Sequence, residues 1–428
     1  QEGAAVSTIA VVGSGYVGIT TGACLAHLGH TVVCADIDEA KVERLNRGEL
    51  PIFESDLEQL VVDGLAGGRL SFVAESKHAV ADAEFVFICV PTPQGDDGRA
   101  DLRYVQGAAQ EIGPYLVPGA TVVTKSTVPV GSARVVERAL QRRDVDVVSN
   151  PEFLREGAAV RDCLYPDRIV IGADDRAAAE RVAELYADLD APVMITDPLV
   201  AEMIKYVSNA FLATKVSFIN SVAAVCDELG ADVAQVAIGV GLDRRVGMEF
   251  LQPGPGWGGS CFPKDTQALI GIADEAGVAF DLLRAVVEAN DSQYARIAAK
   301  VQRMAGGMLR GRVVAVWGLT FKANTDDLRD SPALAVIDRL LRKGATVVAY
   351  DPTAQGPIRG VQLAESAYTA CQDADVLVVL TEWDEFLEVD LRKAGELMAS
   401  AGLVDARNLF EPAQARAAGF TYEGVGRK

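Results

Sequence analysis

Residues 8–18 read Thr-Ile-Ala-Val-Val-Gly-Ser-Gly-Tyr-Val-Gly, a β-branched run followed by a Gly-x-Gly-x-x-Gly turn. This order predicts a strand, a tight turn and a helix that starts directly after the turn. Glycines there let the backbone approach a pyrophosphate and bring the helix against the strand, while the helix N-terminus faces the anion. A chance occurrence of the pattern is the alternative. We expect a dinucleotide to be bound by Gly13, Gly15, Tyr16, Val17 and Gly18.

A carboxylate follows the second predicted strand. Asp36 lies 21 residues after Gly15, where it can accept hydrogen bonds from both hydroxyls of an adenosine ribose. It would repel a 2′-phosphate, so the sequence predicts NAD rather than NADP as the cofactor. Lys41 can assist at the adenosine end, or it can be a solvated lysine at a helix start.

Short β-branched runs alternate with helical stretches along the first part of the chain. The runs at 9–12, 32–35, 85–90, 122–125 and 145–149 predict a parallel sheet covered by helices. After Pro198 neither Pro nor Gly occurs until Gly230, which predicts one helix of about 48 Å. Such a helix can join two domains.

A second alternating section begins at Arg312. Helices are predicted at 265–275 and 281–305 before it, strands at 313–317, 347–350 and 376–380 within it, and helices at 331–342 and beyond 383. The predicted class is therefore α/β: two Rossmann-like doubly wound parallel-sheet domains joined by a long central helix and a helical middle domain.

Charge and composition limit the partners. The 428 residues include 40 Lys plus Arg and 60 Asp plus Glu, a net charge of −20, which disfavours contact with nucleic acid or anionic lipid. We find no long apolar run that predicts a membrane span. Seven scattered cysteines predict a reducing, cytoplasmic location. Only three histidines occur, none near a Cys or carboxylate cluster, so we expect no metal site.

Two later strand ends add loops at the edge of the sheet where ligands bind in open parallel sheets. One loop carries Pro91 and Thr92, and the other carries Ser126 and Thr127. Hydroxyls there can reach a nicotinamide ribose, so we assign these four residues to the cofactor. Ordinary hydroxyl turns at strand ends are the alternative.

Two pairs of polar residues are candidates for proton transfer and charge stabilisation. Glu152 and Glu156 share a face if their segment is helical, and one held near a water can act as a general base; a solvated acidic face is the alternative. On the long helix, Lys205 and Asn209 lie on one polar face and can stabilise an oxygen that gains charge. A surface ion pair between Glu202 and Lys205 is the alternative.

Residues 250–265 form the most specific motif of the chain. Four glycines in six positions make a loop that can wrap a ligand closely, and the loop ends at Cys261, where a helix is predicted to start. A helix N-terminus and the nearby Lys264 both favour the thiolate, which is the nucleophilic form. A lone cysteine is more often inert, as we expect for Cys89 in its buried strand.

Basic residues of the C-terminal half lie in loop motifs. Lys322 follows the first strand of the second α/β section, and the turn there lacks the second and third glycines of a dinucleotide turn. We expect a mononucleotide phosphate or a sugar at this point rather than a second dinucleotide. Together with Arg245 and Arg407, this lysine indicates an anionic substrate in an otherwise acidic chain.

Taken together, the motifs resemble the nucleotide-sugar 6-dehydrogenases. GSGYVG, VPTP, KSTVPVG, NPEFLREG, KYVSNAFLATK, GGSCFPKD and FKANTDDLRDSP occur in the family's order and span nearly the whole chain. The resemblance implies an NAD-binding domain at 1–196, a central helical dimerisation domain at 197–305 and a nucleotide-sugar-binding domain at 306–428. It also implies a cytoplasmic homodimer that acts in polysaccharide biosynthesis.

The resemblance also implies roles for single residues. Cys261 would be the nucleophile, Glu152 the general base, Lys205 and Asn209 the oxyanion stabilisers, and Asp265 and Thr127 the partners of the water and the thiol. Glu156, Lys264 and Arg329 would contact NAD. The nucleotide-sugar site would comprise Glu152, Phe153, Leu154, Arg155, Glu156, Lys205, Asn209, Phe250, Leu251, Gln252, Pro253, Gly254, Gly258, Phe321, Lys322 and Arg407, with Arg245 reaching across the dimer interface.

The implied reaction is the four-electron oxidation of UDP-glucose to UDP-glucuronate. Cys261 would trap the aldehyde as a thiohemiacetal, and a second oxidation would leave a thioester that water hydrolyses. Two departures from the family's pattern are Ser221, where many bacterial members carry an acid, and Trp257, a bulky choice that could alter which sugar or base fits.

Three other functions remain open on the sequence. A single-step hydroxyacid dehydrogenase would need neither Cys261 nor the second α/β domain. A 6-dehydrogenase of dTDP-glucose, GDP-mannose or an N-acetylated UDP-sugar would share every motif. A sugar-nucleotide sensor without catalysis would not need the intact Lys205, Cys261 and Asp265.

Overall fold

The structure is a computed structural model that describes residues 6–93, 95, 100–354 and 356–428. The chain divides into two compact units, an N-terminal unit, Gln1–Ser208, and a C-terminal unit, Asn209–Lys428. Each unit is built on its own β-sheet, which agrees with the two α/β sections that the sequence predicts.

The N-terminal unit alternates strands and helices. Its strands are β1 Thr8–Val12, β2 Thr31–Ala35, β3 Leu70–Val73, β4 Phe85–Ile88, β5 Thr121–Thr124, β6 Asp146–Ser149, β7 Ile169–Ala173 and β8 Val193–Thr196. Its helices are α1 Tyr16–His27, α2 Glu39–Asn46, α3 Leu57–Ala66, α4 Ser76–Val80, α5 Arg103–Ile112, α6 Ser132–Leu140, α7 Ala159–Leu164 and α8 Arg176–Glu184. The eight strands pair in the order β3-β2-β1-β4-β5-β6-β7-β8.

Strand β1 shows why this sheet is covered on both faces. Alternate residues of a strand point to opposite faces, and Ile9 and Val11 pack into one apolar cluster while Ala10 and Val12 pack into another. A continuous apolar run rather than an alternating one is therefore expected. One junction departs from the predicted parallel sheet, because β7 pairs antiparallel to β6.

The C-terminal unit begins with helices and ends with a second sheet. Its helices are α10 Val233–Gly241, α11 Phe262–Glu275, α12 Asp281–Met304, α13 Pro332–Arg342, α14 Ala367–Cys371, α15 Leu391–Leu397 and α16 Pro412–Ala417. The strands are β9 Val313–Trp317, β10 Thr346–Tyr350, β11 Val361–Leu363, β12 Val376–Val379, β13 Gly402–Asp405 and β14 Thr421–Gly424. They form a parallel sheet in the order β11-β10-β9-β12-β13-β14.

A single helix, α9 Pro198–Leu229, crosses the boundary between the two units. Its 32 residues match the predicted helix. By length and composition alone this helix could also span a membrane, a test that a core helix of a soluble protein passes too. Its polar residues Lys205, Asn209 and Ser217 are nonetheless buried inside the protein.

The sequence predicts the strands nearest the centre of each sheet and misses those toward the edges. The runs at 9–12, 313–317 and 376–380 correspond to central strands. The missed strands include β8 and β11, whose residues are largely half-buried or exposed. Their residues lack the apolar surroundings that make a buried parallel strand easy to recognise.

Lys300 of α12 ties the last strand to the long helix. Its ammonium, 5% exposed, lies 2.7 Å from Asp227 of α9 and 3.0 Å from Glu423 of β14. Replacing Lys300 by Met would remove the cation that these two partly buried carboxylates share, so that Asp227 loses this ammonium while Glu423 keeps Arg303 at 2.8 Å.

We predict that Lys300→Met lowers the free energy of unfolding by up to about 3 kcal/mol, measured by urea denaturation. Lys343→Met, at an exposed lysine of the same unit, is the matched control and should change it little. Equal stability of the two variants would show that the buried cation is dispensable.

Candidate active site

The Gly-rich turn after β1 has the shape that a dinucleotide requires. A Cβ atom added to Gly18 would lie 1.8 Å from the Gly13 carbonyl oxygen, so this glycine is needed for the helix to pack on the turn. A Cβ atom added to Gly15 would meet nothing within 4 Å. The backbone at Gly15 is thus open to a ligand, and it fits a bound pyrophosphate.

Asp36 is held as a carboxylate at the end of β2. It accepts hydrogen bonds from the Ser14 amide at 3.0 Å and the Asp38 amide at 3.1 Å, and Lys41 Nζ lies 2.8 Å away. Burial alone would raise the pKa of Asp36, but Lys41 and the amides outweigh it and lower the pKa. Lys41 is therefore the ion-pair partner of Asp36 rather than a solvated lysine.

The predicted hydroxyls of the next two loops bind the protein backbone. Thr92 Oγ1 donates to the Thr127 carbonyl at 2.7 Å, and Ser126 Oγ donates to the Val90 carbonyl at 2.6 Å. These bonds join the loop after β4 to the loop after β5. The hydroxyl oxygens keep acceptor capacity, but their protons are used to hold the two loops together.

Glu152 and Lys205 form a buried ion pair in the N-terminal unit. Lys205 Nζ lies 2.8 Å from Glu152 Oε1, and the side chains are 4% and 6% exposed. The Leu154 amide donates to Glu152 Oε2 at 2.7 Å, and Thr127 Oγ1 lies 3.5 Å from Glu152 Oε1. The two residues that the sequence assigned to proton transfer and charge stabilisation are thus in direct contact.

The charge of Glu152 depends on its cationic neighbours. Burial alone would raise its pKa, but the attraction and hydrogen bond of Lys205, the Leu154 amide and Lys125 outweigh burial and lower the pKa. Lys125 is itself buried, and desolvation lowers its pKa. The site therefore holds an ionised carboxylate, which is the form that accepts a proton.

The alternative interpretation supposed an ion pair between Glu202 and Lys205. In the structure Lys205 pairs with Glu152, and Glu202 binds other groups. Its carboxylate is 3% exposed and accepts hydrogen bonds from the Gly131 and Ala133 amides at 2.5 and 3.0 Å and from Ser149 Oγ at 3.1 Å. Burial raises its pKa. Glu202 thus caps α6 and fixes the start of α9 against the loop that carries Thr127.

Two further charged residues flank the Glu152 loop. Arg168, which the sequence analysis missed, stacks on the Phe153 ring with its guanidinium carbon 3.8 Å from the centroid. It also donates to Ser208 Oγ at 3.2 Å. The guanidinium of Arg155 pairs with Asp162 at 2.6 Å. A cation on an aromatic face is a contact that sequence spacing does not reveal.

Cys261 lies at the start of α11, as predicted. It is the N-terminal cap residue of that helix, and Ser260 Oγ lies 3.5 Å from its sulfur. Asp265, one turn further, is fully buried and accepts from Asn209 Nδ2 at 2.6 Å and from Lys264 Nζ at 2.8 Å. Lys264, expected to contact the cofactor, is here the partner of Asp265.

Cys89 has the properties of an inert cysteine. It is buried at the end of β4, and burial raises its pKa to about 12. A thiol of that pKa remains protonated at neutral pH and is a poor nucleophile. Cys261, half-buried at a helix start, lies in a different environment.

The Gly-rich loop is clamped from behind by side chains of α9 and α12. The Trp257 indole, 6% exposed, donates to Ser217 Oγ at 2.8 Å, and Ser217 donates to the Val286 carbonyl at 2.9 Å. Asn290 accepts from the Trp257 amide at 2.9 Å and donates to the Trp257 carbonyl at 2.9 Å. Trp257 therefore anchors the loop to the helices.

A second clamp holds the residues before Trp257. The Gly254 amide donates to Asn220 of α9 at 2.8 Å, and Gln293 of α12 donates to the Gly254 carbonyl at 2.8 Å. Leu251 packs into the apolar core of the unit. The side chains of Asn220 and Gln293 thus hold the backbone of the loop in place without a ligand.

Several predicted substrate residues converge on this loop. Arg407 donates to the Phe321 carbonyl at 2.7 Å, and one of its guanidinium nitrogens lies 3.5 Å from where a Gly254 Cβ would stand. Lys322 lies 5.6 Å from the centroid of the Phe321 ring. A Cβ on Gly258 would clash at 1.9 Å with the Asp330 carbonyl oxygen.

Other predicted residues lie elsewhere in the C-terminal unit. Arg245 pairs with Asp243 at 2.6 Å at the surface, and Arg329 pairs with Asp327 at 2.6 Å. The arrangement brings Gly254, Phe321, Lys322 and Arg407 together but leaves Arg245 in a separate ion pair. Among the residues that the structure describes, no group of three or more His, Cys, Asp and Glu side chains could hold a metal ion.

The turn after β9 differs from the dinucleotide turn after β1. Asp351 ends β10 as Asp36 ends β2, but it accepts from the Leu319 amide at 2.7 Å, the Thr320 amide at 3.1 Å and Trp383 Nε1 at 3.2 Å. The donors of this turn are thereby satisfied by a carboxylate of the protein itself.

Comparison with known proteins gives matches along the chain. Residues 7–190, 199–292 and 315–412 match the NAD binding, central and UDP binding domains of the UDP-glucose/GDP-mannose dehydrogenase family. The UDP-glucose 6-dehydrogenase of Rhizobium meliloti is 47% identical, over 98% of this chain and 99% of its own. The UDP-glucose 6-dehydrogenase TuaD of Bacillus subtilis is 46% identical, over 98% and 93%.

Solved structures of nucleotide-sugar dehydrogenases also match nearly the whole chain. A UDP-glucose dehydrogenase from Pyrobaculum islandicum has a TM-score of 0.92 at 38% identity and covers 100% of this chain and 99% of its own. A UDP-D-ManNAc dehydrogenase from Pyrococcus horikoshii has a TM-score of 0.87 at 28% identity, with coverage of 98% and 99%.

We predict that Lys205→Met raises the pKa of Glu152, because burial remains while the nearest cation is lost. An infrared titration of the carboxyl band, identified by its loss in Glu152→Gln, measures the shift. Lys215→Met, on the same helix, is the control. An unchanged carboxyl titration in Lys205→Met would contradict the proposed electrostatics.

The same change should alter the pH dependence of stability. A lowered folded-state pKa makes ionised Glu152 stabilising above its unfolded pKa, and this contribution is lost as pH falls through the folded pKa. The stability gap between wild type and Lys205→Met should therefore shrink toward acid pH.

Proposed function

Because the chain belongs to the UDP-glucose/GDP-mannose dehydrogenase family, we propose that it oxidises UDP-glucose to UDP-glucuronate in an NAD-dependent, four-electron reaction. The observation that carries the proposal is the placement of Cys261 at the start of α11, one turn before a buried Asp265 that Asn209 and Lys264 orient. A nucleophile and a fixed carboxylate are what thioester formation and hydrolysis require. Relatives of the same name over the full chain support the choice of sugar.

The domain limits follow the same proposal. We assign residues 1–196 to NAD binding, 197–305 to the central helical domain and 306–428 to the nucleotide sugar. The Gly-rich turn and Asp36 would hold the dinucleotide, with Asp36 on the adenosine ribose. When bound, NAD supplies the acceptor for the hydride in each of the two oxidations.

In the first oxidation, Glu152 and Lys205 would handle the proton of the C6 hydroxyl. Ionised Glu152 accepts a proton, while the Lys205 ammonium stabilises the negative charge that develops on the oxygen. Both groups are buried, and their electrostatic effect is stronger there than in water. The products are an aldehyde and one hydride equivalent.

Cys261 would then keep the aldehyde on the protein. Its thiolate adds to the carbonyl carbon, and the resulting oxyanion, stabilised by Lys205 and Asn209, is the thiohemiacetal. Loss of a second hydride restores the carbonyl as a thioester. Once Glu152 has passed the proton of the C6 hydroxyl to solvent, it would deprotonate a water, with Asp265 in support. That water adds to the thioester carbonyl, the Cys261 thiolate leaves and the carboxylate product is released.

The nucleotide end of the substrate would bind in the C-terminal unit. Phe321, Lys322 and Arg407 surround the clamped Gly-rich loop near Gly254. Arg407, held by the Phe321 and Leu380 carbonyls, and the Lys322 ammonium would bind the diphosphate, and the Phe321 ring would pack against the base. Residues 250–254 would contribute mainly backbone groups.

A homodimer is part of the proposal. On α9, Phe211, Phe218, Val225 and Leu229 are each more than half exposed, and their spacing of seven and four residues places them on one face. A single apolar stripe of this length favours burial against a second copy. We also propose a cytoplasmic enzyme that supplies uronic acid units for polysaccharide synthesis.

Oxidation of another nucleotide sugar is the second candidate. The solved relatives include a GDP-mannose dehydrogenase from Pseudomonas aeruginosa at 31% identity, with a TM-score of 0.55 and coverage of 98% of this chain and 99% of its own. The reaction chemistry would be the same, so a comparison of UDP-glucose, UDP-mannose, dTDP-glucose and GDP-mannose as substrates distinguishes the possibilities.

We predict two NADH for each UDP-glucose consumed, and that Cys261→Ser binds both ligands without releasing acid. The stoichiometry is measured by absorbance at substrate exhaustion, and binding by calorimetry. Cys226→Ser is the control for a cysteine outside the site. Acid production by Cys261→Ser at the wild-type rate would exclude the nucleophile, and one NADH per sugar would exclude the four-electron route.

We predict that Ser217→Ala raises KM for UDP-glucose about fivefold, because the Trp257 indole loses its buried acceptor and the loop is no longer fixed. KM for NAD should stay unchanged. Ser221→Ala is the control: this exposed residue lies one turn further on the same helix, and its hydroxyl donates to the Ser217 backbone carbonyl rather than to the Gly-rich loop. An equal rise in both KM values would contradict a role confined to the substrate loop.

We predict that Phe218→Glu converts the dimer to a monomer, since a charge in the middle of an apolar interface is not solvated. Light scattering after size exclusion measures the mass. Leu387→Glu, at an exposed leucine outside the stripe, should leave the mass unchanged; a dimer in both variants would place the interface elsewhere.

A further inference from the structure

Glu54 lies between α2 and α3, outside the motifs that the sequence analysis singled out. Its side chain is only 7% exposed. Oε2 accepts from the Tyr16 hydroxyl at 2.5 Å and from the Gly157 amide at 2.7 Å, and Oε1 accepts from the Ala159 amide at 2.8 Å. One carboxylate thus joins the first residue of α1 to the start of α7.

Tyr16 makes this connection from the side of the dinucleotide turn. It directly follows Gly15, where the backbone is open to a ligand, and its hydroxyl also lies 3.3 Å from the Arg155 carbonyl oxygen. Burial and the Glu54 carboxylate raise the pKa of Tyr16. The phenol therefore keeps its proton and remains a donor to Glu54.

Two hydrogen bonds hold the loop between Glu152 and Gly157. The Leu154 amide binds Glu152 Oε2 at 2.7 Å, and the Arg155 amide binds Asp162 at 2.9 Å. Gly157 lies five residues after Glu152, so these two bonds constrain the short segment that connects the Glu54 contact to the Glu152 carboxylate.

We propose that Glu54 is a positioning residue that couples the NAD-binding turn to the loop carrying Glu152. The Tyr16 hydroxyl links Glu54 to the dinucleotide turn, and the Gly157 and Ala159 amides link Glu54 to the loop that carries Glu152. The coupling to turnover rests on the function proposed above, whereas the coupling to NAD binding does not.

A carboxylate suits this position better than an amide. It can accept all three hydrogen bonds at once, whereas the NH₂ group of a glutamine would face an N–H or O–H donor. Bonds to an ionised acceptor are about twice as strong as neutral ones. Loss of the carboxylate would leave two buried amides without an acceptor.

The test is a double-mutant cycle on Tyr16→Phe and Glu54→Ala. Each single change should weaken NAD binding about tenfold and lower kcat, and KM for UDP-glucose should change less than the affinity for NAD. In the double variant the effect of Tyr16→Phe should vanish, because its partner is already absent. Affinity is measured by fluorescence titration with NAD alone, and kcat with UDP-glucose.

Glu58→Ala, an exposed acid in the same segment, is the control and should match wild type. Additive effects, or a fall in kcat with NAD affinity unchanged in Tyr16→Phe, would overturn the proposal. Circular dichroism and thermal unfolding identify variants that lose structure, and Tyr16→Phe removes a single oxygen. If wild type oxidised no sugar, the proposed function would fail while the NAD titrations would still decide the coupling to the turn.

Discussion

The long helix α9 carries a series of buried polar side chains, and each of them binds a group outside the helix. Glu202 caps α6, Lys205 neutralises Glu152, and Asn209 binds Asp265. Further along, Ser217 and Asn220 hold the Gly-rich loop. Their spacings of three, four and eight residues follow the helical repeat.

Burial of charge explains why these contacts are specific. A buried carboxylate is costly unless a cation or several donors accompany it, and Glu152 and Asp265 each have an ammonium at 2.8 Å. Asp36 likewise forms an ion pair with the Lys41 ammonium, at 2.8 Å. In a chain with a net charge of −20, each of these three carboxylates has a lysine as its partner.

The two α/β sections reuse one topology for different purposes. In both, a strand ends in a glycine of positive φ, Gly13 or Gly318, and the neighbouring strand ends in an aspartate. After β1, Asp36 binds the Ser14 amide of the turn and the backbone stays open at Gly15. After β9, Asp351 binds the amides of both Leu319 and Thr320. The fold alone does not determine the ligand, because the side chains around the turn decide which donors remain available.

Motifs with contiguous residues were recognisable because the chemistry lies in neighbouring positions. The dinucleotide turn, the helix start at Cys261 and the length of α9 were all predicted correctly from such patterns. Pairings between distant residues were not predicted. The sequence did not indicate that Lys264 pairs with Asp265, and the ion pair between Glu202 and Lys205 that was considered as an alternative is replaced by a Glu202 carboxylate that caps α6.

Residues missed altogether have partners far away in the chain. Glu54 binds amides more than 100 positions later, and no local periodicity marks it. Arg168 is recognisable only once its guanidinium is seen on the Phe153 ring. Trp257 looked like a residue that shapes the substrate site, whereas its indole is directed to Ser217 of α9.

The sequence by itself determined the fold class, the dinucleotide turn, the nucleophile candidate and the family, because each depends on short-range geometry or on residue types in a fixed order. Only the tertiary structure decided which acid meets which base, which carboxylate caps which helix, and which face of α9 stays apolar and exposed. Those outcomes depend on distances between segments far apart in the chain, and such distances are set only when the chain packs and most buried polar groups find a partner.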